Sequence, residues 1–150
     1  MPSTYTNLLY HIVFSTKDRR PFLNPELQAE LHPYIGGIIL DAGGKPIEIG
    51  GVADHVHILA KLPATLAVAD ALRLIKSNSS KWVGERPDLA HAFAWQTGYS
   101  AFTVSKSQVD LVREYIRQQE QHHRKQDFKA ELVSLLKKND IEYEEKYLWD

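Results

Sequence analysis

Residues 45–62 read KPIEIGGVADHVHILAKL, and their pattern decides the fold. Apolar side chains recur at every second position in two runs, which is typical of β-strands with one buried face. These positions are Ile47, Ile49, Val56, Ile58, Ala60 and Leu62. Because Gly50 and Gly51 lie between the runs, the pattern predicts two strands that pair as a hairpin.

Two further strands are predicted on either side of this hairpin. In residues 5–16 both alternations are apolar, which indicates a central strand buried on both faces. Leu8, Tyr10, Ile12 and Phe14 form one alternation, and Leu9, His11 and Val13 form the other. Residues 93–104 are rich in aromatic and β-branched residues and predict a fourth strand.

Capping signals and apolar spacing predict four helices between and after the strands. Asn24-Pro25-Glu26 opens the first, which ends near Gly43-Gly44, and Thr65 caps the second, which stops before Pro87. Ser105 and Gln108 form a capping box for a helix over 106–125, and a final helix covers 128–138. The order predicts an α+β, ferredoxin-like (RRM-like) βαββαβ sandwich with an antiparallel sheet and additional C-terminal helices.

Composition limits the classes of protein and site. The 150 residues include no cysteine, so disulfides, thiolate metal sites and cysteine nucleophiles are excluded. Apolar runs such as 35–40 are far shorter than the roughly 18 residues of a membrane span, and the N-terminus lacks a signal-peptide pattern. We therefore expect one cytoplasmic domain over 1–150, with no membrane association.

Charge is unevenly distributed along the chain. Residues 140–150 carry five acidic residues and one basic residue, whereas residues 1–139 carry 17 basic and 14 acidic residues. The C-terminal helix and acidic tail cover about 127–150, and we expect the acidic tail to be a solvated end or a dimer contact. Nucleic-acid binding stays open, although no strong basic field is evident.

Two histidines in the hairpin are candidate metal ligands. A strand places His55 and His57 on one face, about 6.6 Å apart along the chain. Imidazoles so spaced can share one ion, but two packing or surface histidines have the same spacing. Asp54 can orient a histidine, or it can simply serve the turn.

The helix over 106–125 offers a candidate nucleophile. Tyr115 and Gln119 are four residues apart, so they are neighbours on one helical face, and His122 continues the adjacent stripe. A tyrosine with a pKa of about 10 is a poor nucleophile at neutral pH unless its target is polarised. A divalent ion held by two histidines and a glutamine would supply that polarisation.

A set of motifs in this order resembles the single-tyrosine HUH transposases of small bacterial and archaeal insertion sequences, the IS200-like family. The resemblance covers residues 5–123. The motifs are Tyr10-His11-Ile12-Val13-Phe14, Thr16-Lys17, Arg19-Arg20, Asp54-His55-Val56-His57, Lys76, Ser79-Ser80, Trp95, Gly98-Tyr99, Tyr115-Ile116, Gln119 and His122-His123.

The resemblance implies a DNA transposase that cleaves and transfers single-stranded DNA at hairpin-bearing ends. It makes Tyr115 the nucleophile that forms a 5′-phosphotyrosine, with His55, His57 and Gln119 holding Mg²⁺ or Mn²⁺. It further implies a cytoplasmic, nucleoid-associated homodimer in which Tyr115 and Gln119 of one subunit can complete the site of the other.

Supporting DNA contacts are expected from basic and aromatic side chains. The candidates are Lys17, Arg19, Arg20, Lys76, Lys81 and Trp82. A solvated charged loop and a core tryptophan are equally good interpretations of these residues. Asp54, His122 and His123 are candidates for support of the metal ligands. For the two histidines, contact with phosphate and a favourable helix-end position are the alternatives.

A non-catalytic hairpin-binding module is the competing class, because RNA-binding domains share this fold. A domesticated or inactive relative of the transposases is a further alternative. A binding module would be indifferent to chelation and to loss of the Tyr115 hydroxyl.

Overall fold

The computed structural model describes residues 2–150, and within that range it contains four strands and five α-helices. They are β1 (Leu8–Ser15), α1 (Pro25–Asp41), β2 (Lys45–Val52), β3 (His55–Leu62), α2 (Val68–Gly84), β4 (Ser100–Thr103), α3 (Val109–Arg117), α4 (Gln119–His122) and α5 (Phe128–Lys138). No helix in this range is both long enough and apolar enough to cross a lipid bilayer.

The strands form one antiparallel sheet in the order β2-β3-β1-β4. This confirms the predicted βαββαβ architecture with added C-terminal helices. Strand β1 is central, as its two apolar alternations predict, and it pairs with β3 and β4. Val13 lies opposite His57 and His11 lies opposite Leu59, so these four residues share one face of the sheet.

Helices cover both faces of the sheet. On one face, α1 and α2 pack against the larger core, which includes Ile12, Phe14 and Ile58. On the opposite face, α3 packs on Leu9 and Leu59, while α5 packs on Val13 and Phe102. The two buried histidines of β3 therefore lie beneath the C-terminal helices.

Of the three helix caps predicted from the sequence, one is confirmed and two are wrong. The Asn24 side chain accepts a hydrogen bond from the Leu27 N–H at 2.8 Å, as predicted. The prediction of a Thr65 cap is wrong, because α2 begins at Val68 after Ala67 and has no side-chain cap. The Ser105 capping box is also wrong, since residues 106–108 form a 3₁₀ turn whose preceding Ser105 makes no cap.

Two strand boundaries also differ from the prediction. The hairpin turns at Ala53 and Asp54, and Gly50 and Gly51 lie inside β2. The fourth strand is limited to Ser100–Thr103 rather than extending over 93–104. Before this strand, Trp95 pairs with Thr16 and the Gln96 N–H donates to the Ser15 carbonyl, and the pairing is interrupted at Gly98, whose N–H donates to the Asp150 carbonyl at 2.7 Å.

The predicted helix over 106–125 is divided at Gln118, whose backbone has φ −96° and ψ 17°. Helix α5 matches its predicted range of 128–138, and at its start the Asp127 side chain accepts a hydrogen bond from the Ala130 N–H. The face of the sheet that carries His55 and His57 is therefore covered by three short helices, α3, α4 and α5, each with its own direction.

The acidic tail is not simply a solvated end. Tyr143, Leu148 and Trp149 pack against the cluster that contains Phe128 and Leu132. The Trp149 and Phe128 ring centroids lie 5.3 Å apart. The aromatic residues of the tail therefore belong to the layer that covers the sheet face carrying His55 and His57.

Gly50 controls how closely α3 approaches the sheet. A Cβ at this position would lie 2.9 Å from both Cγ2 and the carbonyl oxygen of Ile116. We expect Gly50→Ala to lower the free energy of unfolding by about 1–3 kcal/mol, since a backbone atom must move. Urea denaturation measures this loss.

Gly37→Ala is the matched control for Gly50→Ala. Its added Cβ would meet nothing within 4 Å. The substitution should raise stability by roughly 1 kcal/mol, because alanine favours a helix over glycine. Equal stability of Gly50→Ala and wild type would show that α3 is not held against β2 at this point.

Candidate functional site

His55 and His57 lie on the same face of β3, and both side chains are fully buried. Val56, between them, points into the opposite core. The interpretation of the pair as surface histidines is therefore wrong. Two buried imidazoles on one strand are held rigidly and must have polar partners.

The Nδ1 atom of each histidine is already engaged. The His55 Nδ1–H donates to Asp54 Oδ1 at 2.7 Å, and His57 Nδ1 is 2.8 Å from His11 Nε2. These contacts fix the orientation of both rings and direct Nε2 of each ring toward the site. Asp54 thus has the orienting contact that its sequence position allowed, and His11 makes the equivalent contact to His57.

The two Nε2 atoms point at a carboxylate that the sequence did not single out. Glu131 Oε1 lies 3.0 Å from His57 Nε2 and 3.4 Å from His55 Nε2. It also lies 3.1 Å from His123 Nε2. Glu131 is buried on the inward face of α5, so three imidazoles converge on one carboxylate oxygen in the interior.

Tyr115 and Gln119 reach the same point from α3 and α4. The Tyr115 hydroxyl donates a short hydrogen bond to Glu131 Oε2. The Gln119 amide nitrogen donates to Glu131 Oε2 at 2.8 Å, and its Oε1 is 3.0 Å from His55 Nε2. All four residues implied by the resemblance therefore belong to one hydrogen-bonded cluster within a single chain.

Burial and hydrogen bonds shift the pKa values of the cluster in opposite directions. Burial lowers the pKa of His55, but hydrogen bonds to Asp54 and Glu131 outweigh it and raise the pKa to about 9. Burial lowers the pKa of His57 to about 4, against the effect of Glu131. For His11, burial and the neighbouring His57 lower the pKa to about 3.

Glu131 and Tyr115 are affected by the same neighbours. Burial disfavours the charged Glu131 carboxylate, but hydrogen bonds from His123, His55 and His57 outweigh this and hold its pKa well below the usual range. Burial and the hydrogen bond to Glu131 raise the pKa of Tyr115 above its ordinary value. The phenol is therefore held protonated beside an anionic carboxylate.

The donor set suits a divalent metal ion. One ligand atom from each of His55, His57 and Glu131 lies within 4.8 Å of the others, and all three residues are buried. The Gln119 oxygen borders the same space. Imidazole nitrogen together with carboxylate and amide oxygen is a common set for first-row divalent ions.

The remaining candidate residues lie around this cluster. The His122 ring is 4.7 Å from the Tyr115 ring, so it contacts the tyrosine rather than the histidine pair. Lys17 and Arg20 are exposed beside the short turn after β1. The Arg19 guanidinium lies 4.3 Å from the centre of the Trp149 ring, which ties this basic turn to the C-terminal tail.

The candidates on α2 divide into exposed and engaged side chains. Lys81 is exposed, whereas Lys76 Nζ donates to the carbonyls of Thr97 and Gly98 at 3.0 and 2.7 Å. Burial lowers the pKa of Lys76 to about 8. The Trp82 ring stacks on Tyr34, with centroids 4.7 Å apart, and the Arg86 guanidinium lies 3.9 Å from its centre. Trp82 therefore has a packing role in this chain.

Two residues of the cluster, Glu131 and His11, were missed from the sequence as members of the site, whereas His123 was a candidate for support of the metal. Glu131 interrupts the apolar face of α5 between Phe128 and Leu132, and a charge on such a face is a signal for a buried polar contact. His123 follows Gln119 by one helical turn. His11 was assigned only to an apolar alternation of the central strand, where a histidine indicates a polar partner across the sheet.

Comparison with known proteins agrees with this arrangement. The model of the family described as "Transposase IS200 like" matches residues 4–119, which is most of the chain. The chain belongs to the IS200-like transposase family.

Individual relatives give the extent of the likeness. The transposase of insertion sequence IS200 from Salmonella typhimurium is 28% identical over 121 residues, covering 77% of this chain and 79% of that protein. The ISDra2 transposase TnpA of Deinococcus radiodurans is 25% identical over 117 residues, covering 75% of this chain and 84% of that protein.

Two solved structures share the fold. A Deinococcus radiodurans protein assigned as a transposase superposes with a TM-score of 0.62 at 22% identity, covering 79% of this chain and 95% of its own. A REP-associated tyrosine transposase bound to a REP hairpin gives a TM-score of 0.61 at 16% identity, covering 82% and 73%. The predicted fold class and family are thus confirmed.

The contact between Asp54 and His55 predicts a pH-dependent loss of stability in Asp54→Asn. Because the folded-state pKa of His55 is raised above its usual 6.5, its protonated form stabilises the fold below pH 6.5. That contribution is lost as the pH rises through about 9. Removing the Asp54 charge should lower the free energy of unfolding at pH 6 by about 1.5–3 kcal/mol.

The measurement is urea denaturation of metal-free protein at a series of pH values. The difference between wild type and Asp54→Asn should shrink as the pH rises from 6 through 9. Asp88→Asn, at an exposed position, is the control for loss of one carboxylate. A difference that is independent of pH would contradict the assigned contact.

Proposed function

We propose that this chain is a metal-dependent enzyme that cleaves single-stranded DNA and transfers the cut strand, with Tyr115 as nucleophile. The observation that carries the proposal is the shared contact of Glu131, whose two oxygens meet the Tyr115 hydroxyl and the His57 Nε2 atom. The candidate nucleophile and the candidate metal ligands thus belong to one hydrogen-bonded cluster of one chain.

In the proposed reaction the Tyr115 oxygen forms a bond to the phosphorus of a phosphodiester, and the bond from phosphorus to the 3′ oxygen breaks. The phenol loses a proton and the departing 3′ oxygen gains one. The product is a 5′-phosphotyrosine and a free 3′-hydroxyl. Since one phosphodiester replaces another, a second 3′-hydroxyl can reverse the step onto a new strand without ATP.

His55, His57 and Gln119 would hold the divalent ion, Mg²⁺ or Mn²⁺, and Asp54 and His11 would keep the two rings in position. A bound ion supplies positive charge that stabilises the developing charge on the phosphate oxygens. Without that charge Tyr115 is a weak nucleophile, because burial and Glu131 raise its pKa. The tyrosine and the ligands therefore depend on one another.

The substrate proposed is DNA with a hairpin next to the cleavage site. The structural relative that is bound to a REP hairpin supports this choice. Lys17, Arg20 and Lys81 present exposed positive charge for phosphates. The resemblance implies a homodimer with sites completed between subunits. The Tyr115 hydroxyl already donates to Glu131, which contacts the histidine pair of the same chain, so we propose that each site is assembled within one subunit of such a dimer.

A covalent trapping assay tests the function. Purified protein, Mg²⁺ or Mn²⁺, and 3′-labelled single strands from the DNA flanking the gene should give a labelled protein adduct. Tyr115→Phe and EDTA should each abolish the adduct, because one lacks the attacking oxygen and the other lacks the ion. Tyr5→Phe, at an exposed tyrosine, should leave it unchanged.

The same assay separates the alternatives. Cleavage that persists in Tyr115→Phe would show that Tyr115 is not the nucleophile. Hairpin binding without an adduct under either metal would instead identify a non-catalytic binding module or an inactive relative. In that case binding would be equal for wild type and Tyr115→Phe.

A further inference from the structure

His123 occupies a position that the proposed three-ligand site does not use. Its Nε2 atom lies 3.0 Å from Gln119 Oε1 and 3.1 Å from Glu131 Oε1. The His123 side chain is only 12% exposed. Its ring is therefore directed into the cluster rather than toward solvent, which a merely favourable helix-end position would not require.

Five donor atoms border the same small space. They are Nε2 of His55, His57 and His123, together with Gln119 Oε1 and Glu131 Oε1. Five of the ten separations among these atoms lie between 3.0 and 3.4 Å. Ligands bonded to one ion at about 2.0–2.2 Å lie roughly 3.0–3.4 Å from their nearest neighbours, so these spacings fit a coordination shell.

The orientation of the rings favours ligation in addition to hydrogen bonding. For His55 and His57 the Nδ1 atoms are held by Asp54 and His11, and Nε2 faces the cluster in both cases. An outer contact of this kind on the second ring nitrogen is the common support of metal-bound histidine.

We propose that His123 and Glu131 are metal ligands in addition to His55, His57 and Gln119, giving a nitrogen-rich centre that selects Mn²⁺ and later first-row divalent ions over Mg²⁺. The inference rests on the proposed function for the presence of a metal. Three imidazole nitrogens suit transition metals, whereas Mg²⁺ prefers oxygen ligands and keeps much of its water.

Metal binding by this ligand set would also stabilise the fold. His55 and His57 come from β3, Gln119 comes from α4, and Glu131 comes from α5. An ion bound by this set would join the C-terminal helices to the sheet. Metal should therefore raise the melting temperature of the whole chain, and Glu131→Gln should reduce that rise.

Direct metal binding to the EDTA-treated full chain tests the ligand set without relying on DNA cleavage. Electron paramagnetic resonance of free Mn²⁺ gives the affinity, and visible absorption of bound Co²⁺ reports the ligands. His123→Gln and Glu131→Gln should each weaken Mn²⁺ binding by at least about tenfold and alter the Co²⁺ spectrum. Mg²⁺ should displace Mn²⁺ only when present in more than about tenfold excess.

Matched controls make the same chemical changes at exposed positions. His91→Gln and Glu120→Gln should leave both measurements unchanged, because both side chains are exposed. Glu131→Asp keeps a carboxylate on a shorter side chain and should give weaker Mn²⁺ binding with partial recovery relative to Glu131→Gln. Circular dichroism confirms folding, and Glu131→Asp decides the question for Glu131 if Glu131→Gln does not fold.

His55→Ala separates failure of this inference from failure of the proposed function. Loss of Mn²⁺ binding in His55→Ala with unchanged binding in His123→Gln and Glu131→Gln would overturn the additional ligands and leave the three-residue site intact. Absence of Mn²⁺ binding in wild type, or unchanged binding in His55→Ala, would overturn both. Equal affinity for Mg²⁺ and Mn²⁺ would overturn the selectivity.

Discussion

The buried carboxylate of Glu131 is the constraint on which the C-terminal half of the structure depends. An isolated charge in a protein interior is costly unless it is paired and hydrogen-bonded. Here the cost is offset by contacts from His55, His57, His123, Gln119 and Tyr115. These partners come from β3, α3, α4 and the segment before α5, so satisfying one carboxylate fixes the relative positions of four segments.

The sheet supplies the fixed half of this arrangement. Period-two alternation sends Val56 and Ile58 into the core beneath α1 and α2, and it sends His55 and His57 to the opposite face. In a simple βαββαβ sandwich that second face is open to solvent. Here α3 to α5 cover it, and the close approach of Ile116 to Gly50 brings Tyr115 down toward the histidines.

Features that depend on local sequence were predictable. The two apolar alternations of β1, the Asn24 cap of α1 and the apolar face of α5 each follow from neighbouring residues, and the structure has all three. The positions of His55 and His57 on one face follow from strand periodicity alone. Helical periodicity likewise predicted that Tyr115 and Gln119 share one face, although the break at Gln118 was not evident from the sequence.

Features that depend on distant contacts were not predictable in the same way. The predicted fourth strand is interrupted before Ser100, where the Gly98 N–H donates to the carbonyl of Asp150, a partner 52 positions away. Glu131 joins the site through residues up to 76 positions before it, so its role depends on how α5 docks on the sheet. Local pattern could mark Glu131 as a charge on an apolar face, but it could not name the partners.

The C-terminal tail connects the candidate site to the basic turn after β1 through contacts between aromatic side chains and Arg19. The Phe128 ring is stacked parallel to His55, with centroids 3.8 Å apart. Trp149 packs on Phe128, and the Arg19 guanidinium lies over Trp149. A continuous stack therefore runs from a candidate metal ligand to a candidate phosphate-binding residue. The acidic tail is therefore connected to His55 through a series of packed side chains.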